Sequence, residues 1–172
     1  MKSAFVFVTV LIAGCGHEPP RGPRAANVYS PSSVPSPAPD ASDPSTRPIQ
    51  VSNEILRVCQ ITQPEVNPNF DYNSTDISVE DRHLLEAVAT CFTTGALKGR
   101  SMRLIGRADG RGENEYNMGL GANRAGSVYN YLASFGVDVK RIASTSRGEL
   151  DATGSDEEGW RRDRRVDIDL VK

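Results

Sequence analysis

The stretch from Ser101 to Gly136 limits the fold more than any other. "SMRLIGRA" reads as a strand, and glycines at 106, 110 and 112 surround the sharp turn that follows it. Residues from about Asn114 to Phe135 then read as a long amphipathic helix stopped by Gly136. Leu120, Val128, Leu132 and Phe135 recur at helical spacing, and Arg124 falls among them. A guanidinium turned toward a core needs a partner, since leaving a buried charge unpaired costs about 3–5 kcal/mol. Either Arg124 sits at the edge of the stripe and reaches out to water, or an acid meets it. Asp109, where the strand ends in "LIGRAD", is the nearest acid at a suitable place.

Other segments continue the alternation of strand and helix. "EILRVCQIT" is strand-like, and "SVEDRHLLEAVATCFTTGALKG" is a helix. Ser78 is its expected N-cap, with Asp81 three residues on in a near capping box, and Gly95 its expected stop. "RIASTSRGE" is a further strand, "GSDEEGWRRD" a loop or short helix, and "RRVDIDLVK" a last strand alternating Val166, Ile168 and Leu170. The order predicts an α+β fold, a two-layer sandwich with two main helices on one face of a mixed sheet.

The N-terminal third has a different character. Lys2 precedes an apolar run from Ala4 to Ala13, shorter than the roughly 20 residues a membrane-spanning helix needs. This fits a secretory signal. Its ending, "IAGC", resembles the lipobox of bacterial lipoproteins, which implies removal of residues 1–14 and acylation (diacylglycerol, palmitate) of Cys15. The alternative is an ordinary signal peptide that happens to contain a cysteine. Gly16 rather than Asp after that cysteine points to the outer membrane by the same resemblance. Residues 15–50 hold nine of the eleven prolines, with many serines. Such a segment cannot bury enough apolar surface to offset its ordering entropy, so it reads as a tether. It would span about 30 Å as a coil and about 110 Å drawn out as polyproline II. The folded domain is expected over 51–172.

The chain carries a net charge of −2, which argues against nucleic acid as a partner. With Cys15 acylated, Cys59 and Cys91 remain in an oxidising compartment. Cys91 is in helical phase with Leu84 and Val88. A disulfide between them and a pair of buried free thiols both stay open. No CxxC or Cys/His cluster supports a metal site, and no cofactor is indicated.

An acid and a base facing one pocket suit a zwitterion, with Asp109 taking an ammonium and Arg124 a carboxylate. The alternative is a salt bridge joining strand to helix. Here the stretch "GRADGRGENEYNMGLGANRAGSVYNYL" resembles the C-terminal domain of the OmpA family, most of all its subgroup of peptidoglycan-associated lipoproteins. "NFDYNSTDIS", "GVDVKRI" and "DRRVDIDL" extend the resemblance over about residues 51–172. It implies a βαβα sandwich with a further strand or strand pair. It also implies noncovalent binding of peptidoglycan through diaminopimelate, whose side chain bears a free amine and a free carboxylate on one carbon. The family's aspartate falls on Asp109 and its arginine on Arg124. Asn117 would support them, Phe70 and Asp71 would wall the pocket, and Ala108 would lend backbone. The expected location is the outer membrane, lipid-anchored with the domain facing the periplasm, and Tol-type envelope proteins are implied as partners.

The sequence also departs from the family. Arg107 stands where relatives often carry His, which should bring a positive charge near the pocket. Asn73 replaces an acid, and "LDATG" follows "RGE" where relatives often have proline. "WRRDRR" is expected to be a solvated strand entry with a packed Trp160. Two further readings remain. One is an adaptor of the same fold that binds another envelope protein. The other is a wall hydrolase using Glu113, Glu115 or Asp109, disfavoured because these sit in a polar glycine-rich loop and His83 lies among charged neighbours.

Overall fold

The computed structural model describes residues 49–62 and 70–172. The expected leader, Cys15 and the tether up to residue 48 lie outside the described residues.

The elements run β1 (Ile49–Val51), α1 (Asn53–Cys59), α2 (Val79–Thr93), β2 (Met102–Arg107), α3 (Asn114–Ser134), β3 (Ile142–Gly148), α4 (Glu157–Asp163) and β4 (Val166–Leu170). The four strands form one mixed sheet in the order β1-β4-β2-β3. β2 and β3 are parallel, so the chain must cross the sheet between them, and α3 is that crossover. β4 returns antiparallel to β2, setting Leu104 opposite Ile168, and runs parallel to β1.

The period of two in the strands decides which face is covered. Ile49, Val51, Met102, Leu104, Val166 and Ile168 point to one face and are buried, in one core with Leu85 and Val88 of α2 and Val128 and Leu132 of α3. The other face is crossed by charge pairs on either side of Ile105, with Arg103 on Asp169 at 3.2 Å and Arg107 on Asp167 at 2.6 Å. The fold is the expected α+β arrangement.

The helix ends follow their capping residues. Ser78 accepts the Asp81 backbone N–H at 3.1 Å and donates its hydroxyl to the Asp81 carboxylate at 2.8 Å. α3 ends in a Schellman turn. Gly136, at φ 87°, lets Val137 N–H reach the Leu132 carbonyl at 3.2 Å.

Where α3 crosses β2, a glycine stands on each side. A Cβ on Gly106 would collide with the Gly121 carbonyl, and one on Gly121 would lie 2.5 Å from Ser146 Oγ. Backbone therefore meets backbone. This close approach brings residue 124, one turn further along α3, down onto the end of β2.

Several expectations are corrected. Residues 53–59 form α1, not a strand, with Ile55 buried and Leu56, Val58 and Cys59 packed against the core. A short apolar run reads either way by pattern, and here the strand beside β4 is supplied by β1 just before it. The folded part thus starts at least two residues before the expected boundary at 51. The stripe on α3 is Asn117, Gly121, Arg124, Ala125, Val128 and Leu132. Phe135 is 46% exposed at the helix end, and Leu120 is only half-buried. Of the two readings left open for the cysteines, the disulfide is the one that forms: Cys59, the last residue of α1, is bonded to Cys91 on α2, Cα to Cα 5.7 Å.

Candidate functional site

Arg124 is fully buried, yet no acid pairs with it among the described residues. Its Nε donates to the Ser74 carbonyl at 2.9 Å, and its two terminal nitrogens to the carbonyls of Arg107 at 2.9 Å and Asp71 at 3.2 Å. The guanidinium also lies over the Phe70 ring, 5.2 Å from its centre. Arg124 thus ties the loop 70–78 to the end of β2. Burial, reinforced by the nearby Arg164 charge and only partly offset by Asp109, pulls its pKa down to about 10. It stays charged at neutral pH, with dipoles rather than a counter-ion around it.

Asp109 is also buried and is held by two other arginines. Its Oδ1 accepts the Arg111 backbone N–H and Nε, both at 3.1 Å. Its Oδ2 accepts Arg111 at 2.8 Å and Arg164 at 3.1 Å. Burial pushes the carboxyl up, but the hydrogen bonds from Arg111 and Arg164 outweigh it and hold the pKa below the usual carboxylate range. Arg164, also buried, donates to the Phe70 carbonyl at 2.7 Å and to Glu157 at 2.9 Å. Arg111 is half-exposed and stacked between two rings, 4.4 Å from the centre of Tyr72 and 4.1 Å from that of Trp160.

The structure therefore brings Asp109 and Arg124 under one loop but does not pair them. The strand-to-helix salt bridge left open by the sequence does not form. Phe70 is buried beneath Arg124, whereas the Asp71 side chain is exposed and only its carbonyl joins the network. Asn117, buried, donates to the Arg111 carbonyl at 2.9 Å and also to Glu149, and so holds the turn that carries Arg111. Ala108 is buried, and its N–H donates to the Gly148 carbonyl at 2.9 Å.

Two features run against expectation. Arg107 brings no free charge to the pocket, because its guanidinium pairs with Asp167 and Asp151. The "WRRDRR" segment is not simply solvated, since Arg164 is buried on Asp109. Arg111 and Arg164 were missed as site residues. A signal for Arg164 existed: it is in strand phase with Val166 and Ile168, so it points to the covered face. Asn73 adopts φ 55° and accepts the Tyr116 hydroxyl. Glu113 and Glu115 are exposed, and among the described residues no cluster of His, Cys, Asp or Glu could hold a metal ion.

A mixed sheet with helices on one face and buried charges collected where β2 meets α3 defines a two-layer domain of the OmpA type. The chain belongs to the OmpA family, whose model matches residues 69–165. It is 38% identical over 101 residues to the peptidoglycan-associated lipoprotein of Pseudomonas putida, covering 58% of this chain and 59% of that protein. It is 36% identical over 104 residues to outer membrane protein A of Bordetella avium, covering 59% and 53%. The chain thus spans less than two thirds of either relative. The crystal structure of the peptidoglycan-associated lipoprotein from Burkholderia pseudomallei superposes with a TM-score of 0.53 at 31% identity, covering 60% of this chain and 86% of that one. The C-terminal domain of Helicobacter pylori MotB shares the fold, with a TM-score of 0.55 at 22% identity, covering 62% and 85%.

Proposed function

We propose that this protein is an outer-membrane lipoprotein that holds peptidoglycan noncovalently, through the diaminopimelate side chain of the stem peptide. One observation carries the reading. Arg124 is a buried cation whose hydrogen-bond partners among the described residues are all neutral carbonyls, so an incoming carboxylate would supply a counter-ion. Asp109 is the acid for the ligand's amine, and Arg111 and Arg164, which hold it, touch Tyr72 and Phe70 of the loop 70–78 that Arg124 also binds. The relatives named for association with peptidoglycan support the reading.

Acylation at Cys15 would fix one end of the chain in the membrane, and the pocket would hold the wall. A wall polymer presents many copies of one side chain, so modest individual contacts suffice. Binding of the purified protein to a diaminopimelate peptide and to its lysine counterpart tests this. The lysine form lacks the second carboxylate, and only the former should bind. Equal binding of both would remove Arg124 from the recognition.

A further inference from the structure

Asp109 is buried, and its side-chain partners are Arg111 and Arg164. Arg124 and Arg164 are buried and each is held by three contacts to the protein. Arg111 is the half-exposed member, on a turn between Gly110 and Gly112, the latter at φ 97°. Its guanidinium fills a slot with Tyr72 on one side, Trp160 on the other and the Asp109 carboxylate at the end. Two aromatic faces and an anion around one cation form a site for a cation as such, not for arginine in particular.

We propose that this slot is the ammonium subsite of the pocket, with Tyr72 and Trp160 as ligand-binding residues, and that Arg111 is its resident occupant, which a ligand's primary amine displaces. The proposal rests on the reading that Asp109 receives that amine. Once Arg111 withdraws, Asp109 Oδ1 keeps only the Arg111 backbone N–H, while Oδ2 keeps Arg164. That leaves acceptor capacity for an ammonium between the rings. Glu157, which is exposed and already 3.5 Å from Arg111, receives the departing guanidinium, so its charge is never stranded. Exchange of one cation for another keeps the buried charge balance and makes the site selective, because a ligand without an amine leaves Arg111 in place. The resident cation also lowers apparent affinity by the fraction of time that it fills the slot.

Trp160 is the only tryptophan of the chain, so its fluorescence reports the slot directly. The full-length protein and its Arg111→Gln, Trp160→Leu, Tyr72→Leu and Asp109→Asn variants are titrated with a diaminopimelate tripeptide and with the analogue lacking the side-chain amine. Calorimetry and, where the tryptophan is present, its emission are followed. Arg111→Gln should bind the amine-bearing peptide about five- to tenfold more tightly and gain nothing for the analogue. Trp160→Leu and Tyr72→Leu should each weaken binding of the amine-bearing peptide, and Tyr72 is 64% exposed, so its loss leaves the fold intact. Wild-type emission should change with the amine-bearing peptide alone. Unchanged or weaker binding by Arg111→Gln, with Asp109→Asn still impaired, overturns the exchange but leaves the diaminopimelate reading standing. If Asp109→Asn binds like wild type, or the wild type binds neither peptide, both fall together.

Discussion

Asp109 and Arg124, buried charges of opposite sign at the junction of β2 and α3, are each satisfied by something other than the other. Arg124 binds the carbonyls of Asp71, Ser74 and Arg107. Asp109 binds Arg111 and Arg164. A direct pair would have been a strut between strand and helix. Instead each charge is held in place by its own set of neighbours, Arg124 by carbonyls and Asp109 by two arginines.

Replacing Arg124 by lysine tests the fork geometry. Lysine keeps the charge but is a single point with no planar spread of donors, so it cannot reach three carbonyls at once. Retention on purified sacculi should fall by about tenfold or more, the equivalent of ~1.4 kcal/mol. Thermal unfolding should also move down as the loop 70–78 loosens.

The Asp109–Arg164 pair is buried on both sides, at 4% exposure each. Asp109→Asn should therefore destabilise the domain by about 3–5 kcal/mol in urea unfolding. The pH dependence follows from the depressed pKa of Asp109. Stability from this carboxylate is fully present above its unfolded value near 3.9 and is lost as pH falls through the folded value. The wild type should lose its advantage over Asp109→Asn only on acidification below about pH 4.

Asp81 behaves in the opposite sense. Burial at the start of α2 raises its pKa to about 6, against the hydrogen bond from Ser78. Its folded value lies above the unfolded one, so the contribution is favourable at low pH and fades as pH rises from about 4 through 6. An Asp81→Asn variant should gain on the wild type across that interval, by up to about 3 kcal/mol in denaturant titrations at pH 4 and pH 7. Parallel stability profiles for the two proteins would show that Asp81 stays in contact with water.

Gly106→Ala probes the helix–sheet crossing. Its methyl would meet the Gly121 carbonyl, and neither backbone can yield cheaply. A loss of about 1–3 kcal/mol is expected, as for other overpacked contacts. Because Arg124 sits one turn beyond Gly121, peptide binding should weaken even at temperatures where the variant is fully folded. Binding equal to wild type in the folded variant would show that the pocket does not depend on this approach.

The amino-acid order by itself determined the long elements. The 3.6-residue period of α2 and α3, the capping serine at 78, the stop at Gly136 and the period of two in β4 are local signals, and each was legible without partners. So was the oddity of Arg124, since a guanidinium in an apolar phase is visible in one helix alone. The short pieces were decided elsewhere. Residues 53–59 carry an apolar pattern too brief to choose between strand and helix, and the sheet position beside β4 had already been taken by β1. The partners of the buried charges were likewise invisible locally, because Arg164 reaches Asp109 across 55 positions of sequence and Arg124 reaches Ser74 across 50. A charge leaving water takes whatever dipoles and ions the folded chain brings within about 3 Å, and only the three-dimensional path of the backbone decides which those are.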